Sequence, residues 1–250
     1  MAGKLSLLTE QGRLKKKLDI RRIDNSGFIH RVFEKGERYR IYSTPNLETA
    51  AAIHESRNHM IFAGDWGNAE LPLEILPAEG VFVSSSPLEA VELLKTHYEL
   101  DGEWPCWHFL APEKFGPGPW DELGPLRVDE VPTIFRYWTL SDDPEKEMTE
   151  RVMKYDSACI REEGKPVSWC GLHFDILGVG NMGFAHTIDE HRRKGYASLV
   201  TKSLVNRLAA RGRRATVHVI KDNHASVALC KSMGFSTLGE LGWANFIRRV

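Results

Sequence analysis

Residues Asp189 to Val200 read Asp-Glu-His-Arg-Arg-Lys-Gly-Tyr-Ala-Ser-Leu-Val. Three consecutive cations, Arg192, Arg193 and Lys194, stand just ahead of Gly195-Tyr196-Ala197, where a helix is expected to begin. A helix N-terminus is electropositive and favours anions, so a triple cation is out of place there unless something negative joins it. A phosphate or pyrophosphate would serve. It accepts hydrogen bonds from the backbone N–H groups that a first helical turn leaves unpaired, and it offsets the cations. Gly195 lets the backbone come close to such a ligand, and Ala197 keeps the next turn slim. The pattern Arg192-x-x-Gly195-x-Ala197 is neither the Gly-x-Gly-x-x-Gly dinucleotide fingerprint nor a Walker sequence. The plain alternative is a basic, exposed loop with an incidental glycine.

The elements around this loop follow from hydrophobic period. "GNMGFAHTI" reads as a strand entering it, and residues 196–210 place Ala197, Val200, Leu204 and Leu208 on one helical face. "RATVHVI" is the next strand and "NHASVALCKSM" the next helix, with Gly234 as its C-cap. Upstream, "RVDEVPTIFRYWTL" and "DDPEKEMTERVMKY" read as helical, and "SACIREEGKPVSWCGLHFDIL" as two strands around a turn at Glu163 to Lys165. "FSTLGEL" and "WANFIRRV" close the chain as strands. The order αα-ββ-β-α-β-α-ββ is that of an α/β sandwich around a mixed sheet.

Ala111 to Pro125, dense in proline and glycine, reads as a linker. It divides the chain into an N-terminal α/β half, residues 1–110, and a C-terminal half, residues 126–250. In the first half "HMIFAGDW", "GVFVSS" and "CWHFLAP" read as strands and Ser86 to Leu100 as a capped helix. The first half carries no motif with attached chemistry. Walls of any acceptor pocket are expected from loops and from this half.

The bulk numbers narrow the function. With 250 residues, 42% hydrophobic, the chain is long enough for a real core. A formal net charge of -1 argues against a general nucleic-acid binder. Cys106, Cys159, Cys170 and Cys230 are scattered and form no Cys-x-x-Cys pair, so neither a disulfide scaffold nor a zinc site is indicated. No apolar run approaches the roughly 20 residues of a membrane span. The N-terminus is basic, with Lys4, Arg13, Lys15, Lys16, Lys17, Arg21 and Arg22 against Glu10 and Asp19. A solvated first helix in a cytoplasmic protein is the preferred reading, and a mitochondrial presequence is the alternative.

The loop, the strand after it and the Asn223-opened helix ending in Gly234-Phe235 together resemble the GNAT acyltransferase superfamily, over roughly Val128 to Val250. Within it, "GKPVSWCGLHFD", the loop region and "GELGW" are most similar to the glycine N-acyltransferase-like proteins. The resemblance implies a GNAT-type mixed central sheet flanked by helices, with a degenerate GNAT-like N-terminal half. It implies acetyl-CoA or another acyl-CoA as co-substrate and a small amine, such as glycine, as acceptor. Backbone amides from Arg192, Arg193, Lys194, Gly195, Tyr196 and Ala197 would hold the pyrophosphate. Thr187 and Ile188 would bond the pantetheine arm, and Asn223 and Ser226 would add cofactor contacts. As a plain N-cap, Asn223 needs no ligand at all.

The same resemblance exposes two departures at the chemistry. Where many relatives carry a glutamate base, eleven residues before Arg192, this chain has Asn181; where many carry a tyrosine acid, seven after Asn223, it has Cys230. Three answers stand open. A histidine substitutes, His186 first and His173 or Asp175 behind it, since an imidazole pKa near 6.5 suits an ammonium deprotonated through water. Alternatively, little help is needed, because a thiol of pKa about 8.5 leaves unaided, with Cys230 as donor or, less simply, as an acylated nucleophile. The third answer is a binding protein with feeble or no transferase activity. Proton removal by His186 would require a β-bulge near Gly183, since residues five apart on a strand face opposite ways.

Overall fold

The computed structural model describes residues 3–20, 22–138 and 143–249. The chain folds as two compact units that do not follow the halves read from sequence. One holds the residues up to His108 with Val219–Asn223 and the chain from Leu238 onward; the other holds Phe109–His218 and His224–Thr237. The expected boundary therefore moves, and the last strand returns to the first unit.

In the first unit, short strands β1 (Gly3–Lys4) and β2 (Ser6–Leu7) precede helices α1 (Gln11–Ile20) and α2 (Arg22–Ile29). Strands β3 (Tyr39–Ser43), β4 (Thr49–His54) and β5 (His59–Gly64) pair antiparallel in sequence. After β6 (Ala69–Glu70), β7 (Gly80–Pro87) pairs parallel with β5. The helix expected over Ser86 to Leu100 is shorter. Helix α3 spans Leu88–Leu94, and the chain then turns into strand β8, Tyr98–Glu103. The reason is burial: Leu94 and Tyr98 both enter a core with Phe62, Trp66, Val83, Val91 and Phe246 that a continuing helix would not fill. Strand β9 (Cys106–Leu110) ends this half.

The second unit opens on the residues expected as a linker, and they are packed. Lys202 Nζ sits 4.3 Å from the Trp120 ring centroid and 5.5 Å from that of Phe115. The Phe115 N–H donates to Asn206 Oδ1 at 2.8 Å, and Asn206 Nδ2 donates to Asp121 at 2.9 Å. Proline and glycine here fit a loop against a helix rather than a free tether.

Helical pieces follow at Val131–Ile134 (α4) and Pro144–Lys154 (α5), the latter capped by Asp143 and led by Pro144. Their expected extensions over 139–142 lie outside the described residues. Strand β10 (Ser157–Glu162) turns at Glu163 and Gly164, both at positive φ, into β11 (Lys165–Ile176). Leu177 and Gly178 repeat that geometry before β12, Val179–Thr187. Two residues with φ > 0 form the tight turn whose twist matches a hairpin. Helix α6 (Tyr196–Ala210) crosses over to β13 (Arg214–Ile220), which lies parallel to β12. Buried Val200, Leu204 and Leu208 form the face expected of α6. Helix α7 (His224–Ser232) ends before Gly234, at φ +76° as a C-cap requires. One strand, β14 (Ser236–Arg248), replaces the two expected, with a bulge between Gly242 and Ala244. Both units are thus mixed sheets with helices packed on them. No helix among the described residues is long and apolar enough to cross a membrane.

Candidate functional site

The β12–β13 ladder runs from Val179↔Arg214 to Met182↔Val217, while β12 itself continues to Thr187. The strand then leads into a one-turn helix at Asp189–His191 and the cationic loop. Arg193 (φ 62°) and Gly195 (φ 80°) both take the left-handed conformation, and Tyr196 begins α6. Successive amides in such alternating geometry line an anion-binding concavity. Helix α6 has no side-chain cap and no acidic residue in its first turn. Its leading N–H groups therefore have no partner of their own making. A Cβ built on Gly195 meets nothing within 4 Å, so the space over this backbone is open.

The cations are only loosely committed. Arg192 pairs with Asp189 at 2.8 Å and donates from Nε to the Thr187 carbonyl at 3.2 Å, with its side chain 57% exposed. Lys194 reaches Glu162 at 3.5 Å. Exposed pairs of this kind are worth well under about 1 kcal/mol, so an incoming anion can replace them. Thr187 Oγ1 shares a hydrogen bond with Ser168 Oγ at 2.8 Å. The Ile188 N–H donates to Val167 O at 3.0 Å, and its carbonyl accepts from the His191 N–H at 2.9 Å. A second lone pair on that carbonyl is what Ile188 can still offer a ligand.

Asn181, His186, Ser226 and Cys230 lie in the same unit as the loop, whereas Asn223 falls in the short segment grouped with the first unit. Asn223 is exposed, and its N–H donates to Ile220 O at 2.9 Å. Ser226 is half-buried on α7.

The acid–base candidates separate clearly. Asn181 is 1% exposed and donates to Thr216 Oγ1 at 3.2 Å, a satisfied polar group between two strands. Asp175 is held in an ion pair with Arg213. Arg151 Nη1 donates to His173 Nδ1 at 2.6 Å. A guanidinium only donates, so Nδ1 accepts and the ring proton of neutral His173 sits on Nε2. Neither side chain is then a free base. Cys230 is 7% exposed, and burial pushes its thiol up to about 11. It is therefore a weaker acid than the thiol it would serve, and too little thiolate forms near neutrality for a nucleophile.

His186 differs. Its ring stacks on Tyr137, centroids 4.2 Å apart, and tilts against Trp169 at 5.3 Å. Nε2 is buried with no hydrogen-bond partner among the described residues. Burial, reinforced by Arg192 and opposed by Asp189, holds its pKa below 6.5, so the imidazole is neutral near pH 7. The bulge beside Gly183 is present. Between Gly183↔Gly171 and His186↔Trp169, Phe184 and Ala185 oppose Cys170 alone. That extra residue restores the facing of positions 181 and 186.

Two glycines make room for this arrangement. A Cβ on Gly171 would lie 2.0 Å from Phe184, and one on Gly183 would lie 1.8 Å from His173 Nε2. Gly183→Ala is therefore expected to push His173 off Arg151 and cost about 1–3 kcal/mol. Denaturant midpoints check this, and a midpoint equal to wild type would refute the packing.

Sequence reasoning did not reach Tyr137, Trp169, Arg151 or Glu162. Only register and chain reversal bring them here, and no local spacing announces them.

Residues 159–244 match the family model described as FR47-like protein. A Drosophila protein of known structure is 14% identical over 98% of this chain and 99% of its own, with a TM-score of 0.66. A GNAT-family acetyltransferase from Colwellia psychrerythraea is 12% identical over 97% and 99%, with a TM-score of 0.61. A GCN5-related N-acetyltransferase from Kribbella flavida is 13% identical over 92% and 95%, with a TM-score of 0.58. At such identities the likeness establishes the fold. The chain has the mixed α/β architecture of GNAT acetyltransferases, and the likeness extends over both halves.

Proposed function

We propose that this protein is an acyl-CoA-dependent N-acyltransferase acting on a small amine, glycine or another amino acid first among them. The observation that carries the reading is the loop from Arg192 to Ala197: two left-handed residues, open space above Gly195 and an uncapped helix start, set directly after β12. The similarity of "GKPVSWCGLHFD" and "GELGW" to glycine N-acyltransferase-like proteins supports the choice of acceptor. Acetyl-CoA or another acyl-CoA suits the loop, because the amides at the uncapped start of α6 and three cations answer a pyrophosphate. The Arg192 N–H, expected among those amides, instead donates to Asp189 O at 3.2 Å. Arg193 and Lys194 supply charge, Thr187 and Ile188 line the arm, and Asn223 and Ser226 flank the start of α7.

The amine attacks the thioester carbonyl directly. His186 takes the ammonium proton, directly or through water, and the coenzyme thiolate leaves without a donor of its own. Release of free thiol from acetyl-CoA and longer acyl-CoAs, against a panel of amines including glycine, tests this. Thiol release that depends on an amine acceptor is the expected result.

A second reading, an acyl-CoA-binding protein with weak or no transfer, is favoured by Asn181 and Cys230, both buried and neither able to move a proton readily. Tight coenzyme A binding with no amine-dependent thiol release would select it.

A further inference from the structure

The β10–β11 turn carries a carboxylate into the cationic loop. Glu162, the last residue of β10, accepts a hydrogen bond at Oε1 from the Tyr196 hydroxyl at 2.7 Å. The same oxygen lies 3.2 Å from His191 Nδ1 and 3.5 Å from Lys194 Nζ. Lys194 Nζ is also 3.4 Å from His191 Nδ1. One ring nitrogen cannot both donate to Glu162 and accept from Lys194, so His191 settles with one of them. Lys165 stands opposite Glu162 in the hairpin register.

Two consequences oppose each other. Tyr196 is the first residue of α6, so fixing its hydroxyl holds the turn whose amides would meet a phosphate. Yet the carboxylate places negative charge where an anion is to bind, and it occupies one of the loop's three cations, Lys194, together with the neighbouring His191 ring. The Glu162 and Lys194 side chains are 38% and 45% exposed, so their attraction is screened and exchangeable.

We propose that Glu162 is a positioning residue and the resident counter-charge of the loop, holding Lys194 and His191 until a phosphate-bearing ligand takes them over. Occupancy of the site is then an exchange of one anion for another. The inference rests on the acyl-CoA reading for the identity of the ligand, whereas the exchange itself applies to any polyphosphate.

The test uses the full chain, calorimetric titration and two probes, coenzyme A and inorganic pyrophosphate. Glu162→Gln keeps an oxygen for Tyr196 but removes the charge. It should tighten both probes about threefold at low salt. The gain should close at about 0.5 M salt, where the screening length falls to a few ångströms. In a Lys194→Gln background most of the gain should vanish, because the group being competed for is gone. Glu162→Ala, which also releases Tyr196, should bind more weakly than Glu162→Gln. Unchanged or weaker binding of both probes by Glu162→Gln overturns the exchange, as does a full gain without Lys194. Equal binding by the Gln and Ala variants overturns the positioning role. Tightened pyrophosphate binding in a protein that never binds coenzyme A would overturn the acyl-CoA reading and leave this one standing.

Discussion

Gly195→Asp is expected to abolish coenzyme A binding while leaving the protein folded. Gly195 sits at φ +80°, where an L-residue costs about 1 kcal/mol, an amount a folded domain survives. Nothing lies within 4 Å of the added Cβ, so the free protein meets no clash. The carboxylate would instead project into the space above the loop amides, where it repels a pyrophosphate and competes for its donors. Calorimetry should show no measurable coenzyme A binding, with a thermal midpoint within a few degrees of wild type. Gly195→Ala, which adds bulk without charge, should weaken binding less. Wild-type affinity in the Asp variant would remove the loop from the site altogether.

His186→Gln is the second large effect, expected to lower turnover by about 10²-fold or more with coenzyme A affinity preserved. Glutamine keeps hydrogen bonding and similar size but has no titratable nitrogen. The pH profile carries the sign. The active form is the neutral imidazole, and His186 has a pKa held below 6.5 by burial and Arg192. Wild-type turnover should therefore be flat near neutrality and fall as pH drops through that lowered value. The variant should lose this acid limb. A merely structural role would lower activity at every pH and leave the limb in place. Normal turnover by His186→Gln would point to unassisted transfer or to the binding reading.

Restoring the carboxylate at Asn181 is a harder experiment than the family pattern suggests. The side chain is 1% exposed and bonded to Thr216, so Asn181→Glu must bury a charge or protonate. Any gain in turnover would come with a raised carboxyl pKa and lowered stability.

Elements with local signals can be read from the residues alone. The α6 face of Val200, Leu204 and Leu208 was legible because one period of 3.6 residues runs through it. Strand β13 coincides with "RATVHVI", and the turn at Glu163 and Gly164 was visible as a break between two apolar runs. The loop proposed to bind an anion stood out for another reason: three cations before a glycine run against the helix dipole, and in the fold Asp189 and Glu162 answer two of them. The rest depends on contacts between distant segments of the chain. Residues from Leu238 onward join the first unit, because strand pairing with β7 and β8 outweighs chain proximity. Residues 111–125 pack through Trp120 and Phe115 on Lys202, a partner some eighty residues away that no composition rule can name. Sequence ranks His186 ahead of His173 only by its strand and says nothing of either ring's partners. His173 is tied by Arg151 and His186 stacks half-buried on Tyr137 because two glycines and a bulge set where each ring falls. Glu162 reaches the loop only because a hairpin reverses the chain beside it. Propensity and period act over a few residues, whereas protonation and hydrogen-bond partners depend on groups that folding brings together from far along the chain.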